Sequence, residues 1–168
     1  MTTIDTSLFE RGGAIFSNCR QYRYQLWRTW GKEPPILFIM LNPSTADEVE
    51  NDPTVERCER RARAMGFGGL RVANIFAFRS TDPQALYSHP DPVGQTNDRH
   101  ILWSASDAGM VICAWGKHGK LNGRGNAVIE MLRNAGIKPH YLKMNIDGSP
   151  AHPLYIGYRV NPKEWPTP

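Results

Sequence analysis

The sequence predicts an α/β protein: a three-layer α/β/α sandwich around a central, mainly parallel sheet of about four strands, preceded by an N-terminal antiparallel hairpin. Three observations carry this. The apolar run Ile36-Leu37-Phe38-Ile39-Met40-Leu41 stops at Asn42-Pro43; it is too short to cross a bilayer and suits a strand buried on both faces. Further short apolar segments alternate with stretches of helical period. The 168 residues contain no repeat and no linker, so one domain, 1–168, is expected.

From Cys19 to Trp30 the chain alternates as a strand, with Tyr22, Tyr24, Leu26 and Arg28 on one side and Arg23, Gln25 and Trp27 on the other. Gly31 to Pro35 reads as the turn of a hairpin into the buried run. Asp52-Pro53 is an N-cap followed by a first-turn proline, opening a helix that runs to about Met65 and stops at Gly66. Val55, Cys58, Ala62 and Met65 share its inner face. Glu56 with Arg60 and Glu59 with Arg63 form i,i+4 pairs, which makes the arginines a solvated face. Strands follow at Leu70–Phe78, interrupted by Asn74, at Met110–Trp115 and at Pro139–Met144; helices are expected at Arg99–Ser106 and Arg124–Ala135. Thr81–Gln95 reads as a loop, and the proline-rich tail is docked by Trp165.

Composition excludes more than it assigns. With 40% hydrophobic and 21% charged residues the chain is an ordinary globular protein. Met1–Arg11 lacks the apolar stretch of a signal peptide, so a cytoplasmic location and no membrane association are expected. Three widely spaced cysteines, Cys19, Cys58 and Cys113, fit neither a disulfide framework nor a zinc site and are read as small buried residues. A net charge of +4 permits a polyanionic partner without the dense basic stripe that would announce one. No P-loop, dinucleotide fingerprint or nucleophile elbow is present, and no cofactor, metal or obligate protein partner is expected.

In a parallel sheet, ligands bind beyond the carboxyl ends of the strands. Asn42 follows the first central strand, Asn74 ends the next, Lys117 and His118 follow the third, and His152 follows the fourth, so they share one rim. Asn offers a donor and an acceptor, suited to holding a water or reading the edge of a pyrimidine. A neutral His donates to an oxygen on which charge develops. Such a set suits cleavage of a bond whose leaving group is a nucleobase, with Asn42 orienting water towards an oxocarbenium-like sugar. Each residue also has a structural reading: Asn42 in an Asx-type turn, Asn74 satisfying backbone groups, His152 bonding its own loop. Asp47, Glu48, Glu50 and Asp52 have the oxygen ligands for a magnesium ion beside a phosphate, and are read rather as a solvated, helix-capping cluster. The glycines between Gly116 and Gly125 offer backbone amides to a phosphate, with Lys117, His118, Lys120 and Arg124 adding charge.

The order of these segments resembles the uracil-DNA glycosylase superfamily: Leu41-Asn42-Pro43, then Gly69 to Asn74, then a strand ending in Trp115-Gly116, then His152-Pro153. More closely, MLNPSTAD, NDPT, DPVGQTND, AWGKHG and HPLY resemble an uncharacterised bacterial and phage family, domain of unknown function 1643. The superfamily resemblance implies a metal-independent N-glycosidase acting on DNA or a related nucleotide. Asn42 and His152 would be catalytic, and Pro43, Ser44, Asn74, Phe76, Trp115 and Leu154 would bind the base, with Leu154 or Tyr155 as a wedge. Ser44 stands where uracil-specific members carry a bulky Tyr, which leaves room for a 5-substituted pyrimidine. A binding module without catalysis and a hydrolase or transferase acting on free nucleotides are the alternatives.

Overall fold

The computed structural model describes residues 11–167. Its centre is a seven-stranded sheet in the order β1-β2-β4-β3-β5-β6-β7. The strands are β1 (Arg11–Phe16), β2 (Arg23–Thr29), β3 (Pro35–Met40), β4 (Gly69–Asn74), β5 (Met110–Cys113), β6 (Pro139–Tyr141) and β7 (Lys163–Glu164). The four middle strands β4, β3, β5 and β6 run parallel, while β1, β2 and β7 add antiparallel edges. The sheet therefore exceeds the expected four strands: the parallel centre and the β2 strand were legible, and the edge strands β1 and β7 were not.

β3 is central because its side chains find apolar partners on both faces. Ile36, Phe38 and Met40 pack with Val55, Cys58 and Ala62 of helix α1 (Pro53–Ala64). Leu37 and Ile39 pack on the other face with Ile101 and Ala105 of α3 (Asn97–Ser106) and with Val128, Ile129 and Leu132 of α4 (Arg124–Asn134). A single-turn helix α2 (Ala85–Ser88) lies within the segment read as a loop. No helix among the described residues is long and apolar enough to cross a membrane.

The hairpin is placed differently from expectation. Its partner strands are β1 and β2, and β2 continues antiparallel onto β4 rather than turning back onto β3. The register of β1 with β2 shifts between Ile15 and Phe16, so two residues of β2 stand opposite one of β1. That bulge breaks the alternation: Arg23, read as lying opposite Leu26, is buried near the Met40 end of the sheet instead. Tyr24 stacks on His100 of α3, with ring centroids 4.8 Å apart.

The arginines of α1 also divide. Arg60 pairs with Glu56 at 3.1 Å as a solvated face should, but Arg61 is 1% exposed and donates to the carbonyls of Ile156, Gly157 and Val160. Arg57 reaches the carbonyls of Pro153 and Ile156. Two arginines of a helix read as solvated thus pin the segment that follows His152. Cys58 and Cys113 are buried, whereas Cys19 is exposed, against the expectation for all three. Trp165 docks as expected, its ring centroid 5.9 Å from that of Trp115.

Trp115 shows how tightly the strand ends are packed. A Cβ on Gly119 would lie 2.1 Å from its Cδ1, so the 3-10 stretch Lys117–Gly123 rests its backbone on the indole. Gly119→Ala is expected to cost about 1–3 kcal/mol through overpacking, read as a lower urea midpoint with an unchanged slope.

Candidate functional site

Met40 and Asn74 sit side by side in the β3–β4 register. The chain leaving β3 therefore carries Asn42 past the end of β4. The loop from Lys143 to Ala151 folds back on itself, with Ala151 N–H donating to Lys143 C=O and Gly116 N–H donating to Pro150 C=O, which brings His152 to the same rim. The N-terminus of α1 closes the fourth side. Asn42, Pro43, Ser44, Asn74 and His152 thus line one small cavity of about 40 Å³, joined by Arg23, Asp52 and Thr54.

The hydrogen bonds fix what each group presents. Asn42 Nδ2 donates to the carbonyls of Ser80 (2.9 Å), Pro43 (3.3 Å) and Phe78 (3.4 Å). Carbonyls only accept, so the amide orientation is set and Oδ1 remains as an acceptor. Asn74 is held the opposite way: its Oδ1 accepts from Arg23 Nη2 at 3.4 Å, leaving Nδ2 as a donor. His152 caps a 3-10 turn, its Nδ1 accepting from Leu154 N–H at 3.3 Å, which assigns the neutral tautomer with the proton on Nε2. Burial holds its pKa below the ordinary imidazole value, with Asp52 opposing. Asp52 caps α1 through Val55 N–H and also accepts from Ala46 N–H. The hydroxyls of Ser44 and Thr54 make no hydrogen bond among the described residues.

The cavity therefore offers an acceptor at Asn42, donors at Asn74 and His152, two hydroxyls and one carboxylate. At about 30 Å³ of liquid volume per water, it takes one or two waters or the oxygen-bearing edge of a ring rather than a whole base.

Other candidates lie elsewhere. Phe76 is fully buried in the core on the α3 and α4 face. Trp115 and Lys120 line a separate pocket of about 240 Å³ with Trp165 and Asp147, where Lys120 Nζ donates to Asp147 C=O. His118 bonds the Tyr87 hydroxyl, and Arg124 is held by Ile75 C=O and Asp98. Lys117 is exposed on that 3-10 stretch. These four residues thus form no common cradle with the Asn42 cavity. Leu154 is half-buried and joins the site through its N–H alone. A wider groove of about 730 Å³ between Trp27, Arg71, Trp103 and Asp107 adjoins Pro35 and Gly69, the first residues of β3 and β4. It lies at the opposite ends of the strands from the converging polar groups.

Sequence reasoning missed Arg23, because the bulge reversed its face, and placed Asp52 in the helix cap and the acidic cluster rather than in the cavity. The acidic loop is mostly structural. Asp47 Oδ1 accepts from Val49 and Glu50 N–H, while Arg28 donates to the carbonyls of Asp47, Glu48 and Glu50. Among the described residues no three His, Cys, Asp or Glu side chains group as metal ligands do.

The depressed His152 pKa has a thermodynamic consequence. Unfolded His takes up a proton near pH 6.5 that the folded, buried ring resists, so its contribution is complete above about pH 6.5 and is lost as pH falls towards the folded value. His100, also lowered by burial and by Arg99, acts in the same sense. Melting curves at pH 7.5 and 5.5 should show a stability loss on the acid side. His152→Asn, which keeps a capping acceptor and does not titrate, should reduce that loss.

Searches of curated proteins and of solved structures return no match. The family model described as "Protein of unknown function (DUF1643)" matches residues 23–154, which include every residue lining the Asn42 cavity. The chain belongs to the DUF1643 family.

Proposed function

We propose that this protein is an N-glycosidase-like enzyme that recognises a pyrimidine base, modified or not, in DNA and releases it without a metal. The convergence of Asn42, Asn74 and His152, from three separate chain segments, on one cavity at the carboxyl ends of the parallel strands is the observation that carries the reading. Helices packed on both sheet faces accord with the three-layer architecture of the uracil-DNA glycosylase superfamily, which the order of motifs resembles.

Asn42 Oδ1 accepts from a water and orients it towards the sugar carbon; the glycosidic bond breaks with its electron pair leaving on the base, the water oxygen bonds the carbon, and the proton the water loses ends on the released base. Asp52 stands in the same wall and gives the site the carboxylate that position 42 lacks. Nε2–H of His152 donates to the exocyclic oxygen of the departing base, where negative charge develops. Asn74 Nδ2 donates to a second acceptor on the ring. Because His152 is needed neutral, base release should persist below the pH at which an exposed imidazole is protonated.

The test is a base-release assay on single- and double-stranded oligonucleotides carrying a panel of pyrimidines. Alkali-labile abasic sites are expected, and His152→Ala should suppress them while the protein stays folded. Unchanged release in this variant removes the mechanism. The small cavity favours one second reading, a module that binds nucleic acid without cleaving it. Salt-sensitive binding with no abasic product from any substrate would select it.

A further inference from the structure

Arg23 is 2% exposed, yet it makes no ion pair among the described residues. Its Nη1 donates to Ala46 C=O at 3.0 Å and its Nη2 to Asn74 Oδ1 at 3.4 Å, both neutral acceptors. Its Nε is buried with no partner. An unpaired buried guanidinium costs several kcal/mol, and an apolar side chain of similar size would avoid that cost.

The charges around it do not resolve the imbalance. Arg28 and Arg79 both press on Arg23 with like charge, and the Asp52 carboxylate opposes them. Asp52 already accepts from the backbone N–H groups of Ala46 and Val55. Arg79 donates to Arg20 C=O and its own Nε is also buried without a partner. Arg28 spends its guanidinium on loop carbonyls and Asn51. The N-terminus of α1, which faces the cavity, adds partial positive charge. Burial pulls the Arg23 pKa down to about 10, which still leaves it charged at neutral pH.

We propose that Arg23 is the positioning residue that charges this cavity, and that the group received there is negatively charged: an oxyanion, or the ionised edge of an acidic heterocycle. Arg23 acts through Asn74. By holding Oδ1 it turns Nδ2 towards the ligand, and by polarising the amide it strengthens that donor. The heterocycle form rests on the proposed function; the oxyanion form does not.

Calorimetric titration with three probes separates the possibilities: inorganic phosphate, uracil, and 5-nitrouracil, which ionises more readily. The wild-type chain should bind 5-nitrouracil tighter than uracil by about tenfold, the difference between a charge-assisted and a neutral hydrogen bond. That preference should grow as pH rises through the ionisation of the nitro compound. Arg23→Gln should bring the ratio close to one, and Arg23→Lys should restore part of it. Asn74→Asp guards against misfolding: it gives Arg23 a carboxylate partner, so the fold is kept and the anion preference should vanish.

Equal affinity for uracil and 5-nitrouracil in the wild type overturns the role of Arg23 while leaving the base-binding reading intact. Phosphate binding that depends on Arg23, with neither ring bound, sustains the anion cavity and overturns the base-binding reading. Binding of none of the three overturns both.

Discussion

Arg61→Met should lower the unfolding free energy by about 2–3 kcal/mol, since it removes three hydrogen bonds from a buried charged donor to the backbone of the segment folded over it. Among the described residues Arg61 is the largest of the fully buried side chains and ties α1 to Ile156, Gly157 and Val160, with its guanidinium over the Tyr158 ring, 5.4 Å from the centroid. Methionine restores the packing volume but none of the bonds. Urea denaturation measures the loss. Amide exchange should show it concentrated in residues 153–160, and because His152 leads into that segment, on the proposed function base recognition should weaken with it. A loss under 1 kcal/mol would mean that freeing the buried cation offsets its bonds.

Asn42→Ala should combine a structural with a functional effect. The loss of Nδ2 leaves the carbonyls of Pro43, Phe78 and Ser80 without their shared donor and should cost about 1–3 kcal/mol. On the proposed mechanism, the loss of Oδ1 should slow base release by about a hundredfold or more. Asn42→Asp separates the two. It keeps an acceptor in the cavity but turns a carboxylate oxygen towards three carbonyls, so stability should fall at least as far as in the alanine variant. If both variants melt like the wild type, the amide holds nothing. If both melt lower but release base at the normal rate, its role is the turn alone.

What could be read from the sequence follows from how local each signal is. The run from Ile36 to Leu41 declares a central strand because no other element buries consecutive apolar residues in so short a span. Asp52-Pro53 marks its helix start with a side-chain acceptor and a fixed φ, and the Asp52 carboxylate accepts from Val55 N–H as expected. From these the common rim, and with it the meeting of Asn42, Asn74 and His152, could be deduced by topology.

The features that were missed are set by contacts between distant segments. β1 carries two glycines and little alternation, and Gly13 is there because a Cβ would lie 2.3 Å from the Trp27 ring. β7 has two residues and exists through its pairing with β6. The bulge opposite Phe16 leaves no mark in composition, yet it moves Arg23 from the side shared with Gln25 and Trp27 into the site. Arg61 reads as one more polar residue on a charged helix until the chain after His152 folds over it. Phe76 follows Asn74 closely in sequence, but the backbone turns there and takes the ring into the opposite core.

Crystals soaked with a mixture of pyrimidine bases should show a ring at the Asn42 cavity, with one exocyclic oxygen within hydrogen-bond distance of His152 Nε2 and another acceptor facing Asn74 Nδ2. A base seated instead in the groove between Trp27 and Trp103, or none bound anywhere at saturating concentration, would contradict the proposed function.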